Sequence, residues 1–155
     1  MKSIKHKEMT TKEFEMKMML LNNEYTKRSN EIGRKKEEVN ARRQDALLEA
    51  DDAFHAEKRE RLAKISHIRL EKAALFIGDT KRAILEAEAR NLEAEISVMR
   101  DDNERRKHTI CHNAYAERRA LDDESRKLSE WLNQEKMKVM EEHAASAEVA
   151  VASTD

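Results

Sequence analysis

The sequence predicts an all-α protein, a long antiparallel two-helix coiled-coil hairpin with its turn near Gly78. The chain has no proline and two glycines, so long stretches contain nothing that stops a helix. Charged residues make up 41% of the chain and aromatic residues 4%, which is typical of long helices with a narrow apolar stripe. In the first half, an apolar residue recurs at every seventh position. Together, these observations favour two rod-like helices over a compact core.

Helix 1 is predicted over residues 11–77, after a basic N-terminal lead-in of residues 1–10. Thr10 is expected to be the N-cap residue, and Glu13 completes the capping-box pattern three residues later. A sevenfold repeat sustained through this helix favours a left-handed supercoil, because a straight helix would rotate the apolar stripe away. The repeat consists of Met18, Tyr25, Ile32, Val39, Ala46 and Ala53.

The turn is predicted at Gly78 because an apolar run ends there and glycine readily adopts the left-handed conformation that closes a helix. Asp79 and Thr80 follow as acceptors able to cap the next helix. Helix 2 is predicted over residues 80–143. The Ala-rich residues 144–155 lack periodicity and are expected to form a frayed tail.

A single reversal at this point also predicts which residues face each other. Tyr25 should lie opposite Leu132, with an error of about one helical turn. The two halves carry opposite net charge: residues 1–78 have 18 basic and 14 acidic side chains, whereas residues 79–155 have 13 and 18. Opposite charge favours their side-by-side packing, although each exposed pair contributes little.

An alternative is a four-helix bundle with breaks near Gly33 and Asp102. Glycine weakens a helix, and a polar run surrounds Asp102. Neither position has the paired stop and start signals that mark the turn at Gly78. The sequence therefore favours the hairpin.

One cluster has the residue types of a metal site. His108 and His112 are four residues apart and share a helix face, and Asp45 and Glu49 fall opposite them in the predicted pairing, so the four could bind Zn²⁺. Both histidines, however, point about 160° away from the seam residue Ile110. We therefore expect two solvated histidines and neither a metal nor another cofactor.

The sequence also predicts that the protein is not an enzyme. It contains no G-x-S-x-G, glycine-rich phosphate loop or H-E-x-x-H motif, and a two-helix rod offers no enclosed pocket. Basic runs such as residues 34–36 are followed by acidic ones, so no single-sign surface is available for nucleic acid. No small-molecule substrate is expected.

Membrane insertion is not expected, because no apolar run approaches the roughly 20 residues that span a bilayer. Cys111 is the only cysteine, which favours a reducing compartment. We expect a cytoplasmic protein, or one within a cytoplasmically assembled complex or particle.

Two apolar patches are the candidate partner-binding sites. The hairpin tip gathers more apolar surface than one turn can bury, and apolar residues surround helix 1 near the open end, where methionines adapt to irregular partners. The alternative is that both patches only pack the two helices together at the ends of the hairpin. The candidates are Leu75, Phe76, Ile77 and Ile84 at the tip, and Phe14, Met18, Leu21, Tyr25 and Trp131 at the open end.

These features predict a non-enzymatic structural or adaptor coiled-coil protein that assembles with itself or with a larger protein complex. Length and architecture also fit a stalk or chaperone-like accessory subunit of a molecular machine, of the type III export or rotary ATPase kind. A scaffold or minor structural component of a virus particle is the third interpretation, which composition does not separate from the first.

Overall fold

The computed structural model describes residues 9–74 and 76–152, with side chains described through residue 147. Helix α1 spans Thr11–Lys72 and helix α2 spans Asp79–Ala152. The two helices pack against each other, and about 95% of the described residues are helical, with no strand among them. The fold is the all-α helical hairpin that the sequence predicts.

Helix α1 begins where the capping pattern predicts. The Thr10 hydroxyl accepts a hydrogen bond from the backbone N–H of Glu13 at 3.1 Å. The Thr10 carbonyl accepts from the N–H of Phe14 at 3.0 Å, which is the first bond of the helix. Thr10 is therefore the N-cap residue, and it satisfies one of the N–H groups that a helix start leaves without an internal partner.

The end of α1 differs from the prediction, because the helix stops at Lys72 rather than at residue 77. The Ala73 N–H still donates to the Arg69 carbonyl at 3.1 Å, and the Ala74 N–H donates to the Glu71 carbonyl at 3.2 Å. The second bond spans three residues, which tightens the last turn. Ala73 and Ala74 are exposed, so no tertiary packing holds a further turn of helix in place.

Gly78 has a different role from the predicted one. No described glycine has a positive φ, so Gly78 does not adopt the left-handed conformation expected of it. Its carbonyl accepts the first hydrogen bond of α2, from the N–H of Arg82 at 3.0 Å. Gly78 is thus the N-cap residue of α2, and Asp79 and Thr80 lie in the first turn instead of capping it. The reversal lies between Lys72 and Asp79, and none of its described residues has a positive φ.

Helix α2 continues past its predicted end at residue 143, as far as Ala152. The first residues of the expected frayed tail are therefore helical, and residues 153–155 lie outside the described residues. Alanine is the strongest helix former, which explains a helix without an apolar stripe here. Ser146 also contacts the residues just before α1, since its hydroxyl accepts a hydrogen bond from the Met9 N–H at 3.0 Å.

Both breaks of the four-helix alternative lie inside continuous helices. Gly33 is half-buried within α1, and Asp102 is within α2. One interior glycine costs only about 1 kcal/mol relative to alanine, which packing along a long helix offsets. The four-helix bundle is excluded.

The hairpin contains two compact units. The terminal unit comprises the described residues of Met1–Glu38 and Glu117–Asp155, and the turn unit comprises Val39–Ala116. Each unit has its own buried apolar side chains along the seam between α1 and α2. In the terminal unit these are Ile32, Leu128, Leu132 and Val139. In the turn unit they are Val39, Ala50, Ile65, Ile68, Leu85, Ile96 and Ala114.

The helices are antiparallel within the terminal unit. The rings of Phe14 and His143 have their centroids 4.5 Å apart. Further along α1, the Lys36 Nζ lies 2.6 Å from Asp122 Oδ1, at an earlier position of α2. In the turn unit, the Arg61 Nε lies 2.9 Å from Glu95 Oε2. All three pairs fall within a turn of the predicted pairing.

Candidate functional site

The four candidate metal ligands do not form a metal site. His108, His112, Asp45 and Glu49 are all exposed. Within residues 9–74 and 76–152, no group of three or more His, Cys, Asp or Glu side chains is placed to hold a metal ion. The side of α2 that carries the two histidines points into solvent, as the angle from Ile110 indicates.

The candidate residues of α1 at the open end lie at the seam between the helices. Phe14, Met18, Leu21 and Tyr25 are all half-buried. Phe14 packs on His143 of α2, with the two rings tilted by 34°. These side chains therefore help to hold the terminal unit together, and only part of their surface is open to a partner.

Trp131, the candidate on α2, is also half-buried. The guanidinium carbon of Arg28 lies 4.6 Å from the centroid of its ring, a cation–π contact across the hairpin. The Arg28 Nε also donates to Glu24 Oε1 at 2.8 Å. Glu24 thus helps to hold the Arg28 guanidinium over Trp131, and the guanidinium covers part of the indole.

The more exposed apolar surface of α1 lies beside these candidates. Met16, Met19 and Leu20 are 56%, 52% and 57% exposed. Their spacing of three and four residues places them on one face, roughly opposite the seam residues Phe14 and Leu21. We call Met16, Met19 and Leu20 the α1 outer face. The apolar patch predicted around helix 1 contains these three residues, but the candidates chosen from it did not include them. The patch was not divided into its two faces, which a rotation of 100° per residue separates.

The hairpin tip presents a second apolar surface. Phe76 is fully exposed, and Ile84 and Leu70 are also exposed. Ile77 is half-buried, and Leu75 lies outside the described residues. The tip therefore offers large apolar side chains to solvent, with Phe76 the most prominent.

A polar cluster lies inside the turn unit. The Asn103 amide donates from Nδ2 to Asp51 Oδ1 at 3.0 Å, and the Lys107 Nζ donates to the same oxygen at 3.2 Å. The Asn103 hydrogen bond, followed by the one from Lys107, lowers the pKa of Asp51. The hydrogen bond to Asp51, followed by one to Glu104, raises the pKa of Lys107. Asparagine at a seam position was the sequence signal for this cluster.

Apart from the pair of Lys107 with Asp51, the ion pairs described across the hairpin join basic residues of α1 to acidic residues of α2, as the net charges of the two halves predict. Lys36 lies 2.6 Å from Asp122 in the terminal unit, and Lys72 lies 2.6 Å from Glu86 in the turn unit. The hydrogen bond from Lys36 lowers the pKa of Asp122. The one from Lys72 lowers the pKa of Glu86 in the same way. Other pairs of this polarity are Lys17 with Glu142, Arg61 with Glu95, and Arg69 with Glu93.

Among the described residues, neither helix contains a stretch both long enough and apolar enough to cross a bilayer. No family model, curated protein or solved structure matches this chain.

Proposed function

We propose that this protein is a non-enzymatic structural or adaptor protein whose helical hairpin assembles with another protein. The observation that supports this function is the presence of two apolar faces on the first turns of α1. One face, with Phe14, packs on α2. The other, the α1 outer face of Met16, Met19 and Leu20, is exposed. A helix that is apolar on two faces needs two neighbours, and the hairpin itself supplies one.

The proposed occupant of the α1 outer face is a protein other than this chain, with an apolar groove. Anchors at positions i, i+3 and i+4 are how a helix docks into such a groove. Methionine side chains adapt to irregular surfaces. A flat contact between the outer faces of two copies would cover little beyond three side chains, whereas a standard interface buries about 800 Å² per partner. A groove that encloses the helix buries more of it.

The grooves along the hairpin favour binding over catalysis. One is lined by residues that include Ala63, His67 and Leu92 in the turn unit, and another by residues that include Ile32 and Trp131 in the terminal unit. Both are open along the helices. Enzyme sites enclose most of a small substrate in a concave pocket, so the proposal includes neither a substrate nor a cofactor.

A cytoplasmic location, or a place in a complex assembled in the cytoplasm, is part of this proposal. Cys111 is a free, exposed thiol. Exposed thiols persist in reducing compartments, whereas oxidising ones convert them to disulfides.

The experiment compares partner capture by the full-length chain and by a variant with Met16→Asp and Met19→Asp. Met137→Asp is the matched control, because Met137 is an equally exposed methionine of the terminal unit on α2. The proposal predicts a protein that the parent and the control capture and the double variant loses. The same protein, once purified, should bind the parent directly and crosslink to a photoreactive residue at position 16.

Two results would contradict the proposal. Capture of the same proteins by the double variant would show that the α1 outer face binds nothing. Sedimentation of the purified parent as a dimer that the double variant fails to form would replace the proposed partner with a second copy of this chain.

A further inference from the structure

Among the described residues, Asn103 is the one polar residue that is buried as a whole. Asn103 is 9% exposed, and its amide bonds to Asp51, which also accepts from Lys107. We propose that this polar cluster (Asp51, Asn103 and Lys107) fixes the register of α1 against α2 by penalising any sliding of one helix along the other. The inference is independent of the proposed function.

The turn does not fix the register by packing. The buried residues nearest to it are Ile68 on α1 and Leu85 on α2. Every described residue between them is exposed or half-buried. A few residues could leave each helix end and join the loop without uncovering a buried side chain. The loop therefore tolerates a change in its length.

The apolar seam does not fix the register by itself either. Its residues repeat at intervals of seven, as in Ile32, Val39 and Ala46 on α1 or Leu85 and Leu92 on α2. Sliding by one heptad would again bring apolar residues opposite apolar ones. The ion pairs at the margins discriminate weakly, because exposed pairs contribute little and the dense charges on both helices offer substitutes.

The polar cluster does discriminate between registers. Sliding by one heptad in either direction would bring Gln44 or Lys58 to the place of Asp51. Neither side chain is a carboxylate, and Lys58 would oppose the ammonium of Lys107. In the Lys58 register Asn103 would stay buried without an acceptor, and a buried polar group without a partner carries its full desolvation cost. In the Gln44 register the acceptor would be a neutral amide oxygen, which gives a weaker hydrogen bond than the carboxylate and forms no ion pair with Lys107. A single polar residue in an apolar seam fixes the register of coiled coils in the same way, while lowering their stability.

The test measures distances between nitroxide labels at positions 64 and 91 by pulsed electron paramagnetic resonance. Both positions line the same groove of the turn unit. Cys111 is replaced by alanine so that only the two introduced cysteines react, and unlabelled protein is added in excess to suppress distances between molecules. The parent should give one narrow distance. Asn103→Leu should melt at a higher temperature and show a second distance, because sliding by a heptad moves one helix by about 10 Å along the other.

Two control variants distinguish the effect of the polar cluster on the register from the effect of seam packing. Ile96→Leu changes a buried seam residue without changing its polarity, so the single distance should remain. The exchange of Asp51→Asn with Asn103→Asp keeps one amide and one carboxylate. The new carboxylate lies four residues before Lys107, within reach of its ammonium, so the single distance should also remain.

The proposal is overturned if Asn103→Leu keeps the single distance of the parent, whatever its melting temperature. It is also overturned if the parent already shows two distances, since no register would then be fixed. A second distance in Ile96→Leu as large as that in Asn103→Leu would assign the register to packing instead.

Discussion

Lys36 on α1 and Asp122 on α2 form an ion pair across the terminal unit, with 2.6 Å between Nζ and Oδ1. The lysine lowers the pKa of Asp122 below its ordinary value of 3.8. A carboxyl with a lowered pKa in the folded state contributes stability above its unfolded pKa, and loses it as the pH falls through the folded value. The pKa values of Asp51 and Glu86 are also lowered in the folded state, so these carboxyls lose their contribution to stability as the pH falls in the same way.

The melting temperature should therefore fall as the pH is lowered below about 4.5, the range in which unfolded carboxyls take up protons. Circular dichroism melts between pH 7 and pH 2 measure this fall. Asp122→Asn should flatten the pH dependence, because the amide takes up no proton. A melting temperature that stays constant or rises towards pH 2 would contradict the assignment of these pKa shifts.

Substitutions of Leu132 and Leu20 test which helix faces contribute to the free energy of unfolding. Leu132 is buried in the seam, whereas Leu20 belongs to the exposed α1 outer face. Leu132→Ala should lower the free energy of unfolding by about 2 kcal/mol or more. Leu20→Ala should change it by about 0.5 kcal/mol or less. Urea unfolding measures both, and equal losses would mean that the two faces are not distinguished as described.

The two glycines should respond to substitution in accord with their conformations. Gly33 lies within α1, and a Cβ added to it meets open space. Gly33→Ala should raise the free energy of unfolding by about 1 kcal/mol, because alanine favours the helix. Thermal or urea unfolding tests the change, and a destabilised Gly33→Ala would indicate a break in α1 at this point.

Gly78 distinguishes the N-cap role from the left-handed turn expected from the sequence. Its φ is not positive, and a Cβ would again meet open space. Gly78→Ser should be neutral or stabilise by a few tenths of a kcal/mol, since serine is a good N-cap residue. A left-handed Gly78 would instead make the serine variant less stable by about 1 kcal/mol, which the same unfolding measurement detects.

Trp131 is the only tryptophan, so its fluorescence reports on the terminal unit. Arg28 lies over its ring. Arg28→Ala should shift the emission to longer wavelength by opening the indole to water, and should lower the free energy of unfolding by about 0.5–1 kcal/mol. Arg34→Ala, which removes an exposed arginine paired within its own helix, should leave the emission unchanged. An unchanged spectrum in Arg28→Ala would contradict the cation–π contact.

The sequence predicted the features that depend on local pattern. The Thr10 cap was correct because its signal lies within a few residues. The facing of α1 and α2 was correct within a turn because apolar periodicity and charge act along the whole length. Gly78 was predicted to close α1 in a left-handed conformation, and this role was wrong. The same glycine is equally suitable as the N-cap residue of the next helix, so its position in the sequence does not separate the two roles.

The sites were harder to predict because they depend on faces rather than on positions in the chain. Tyr25 and Trp131 were predicted as partner-binding residues because they belong to the apolar patch at the open end, yet both are half-buried. Met16 and Met19 are the exposed pair. The contact between Asp51 and Asn103 was not predicted. Predicting it requires the residue-by-residue pairing of α1 with α2, and the sequence gives that pairing only to within about one helical turn.

Whether the chain doubles back on itself is tested most directly by one intramolecular distance in the terminal unit. Nitroxide labels at the exposed positions Asn22 and Gln134, in a Cys111→Ala background diluted with unlabelled protein, report it by pulsed electron paramagnetic resonance. The hairpin predicts a single distance of roughly 10–25 Å, because the axes of packed helices are 8–10 Å apart and the labels add their own length. A separation above about 100 Å within one molecule, as in an extended chain of helix, would contradict it.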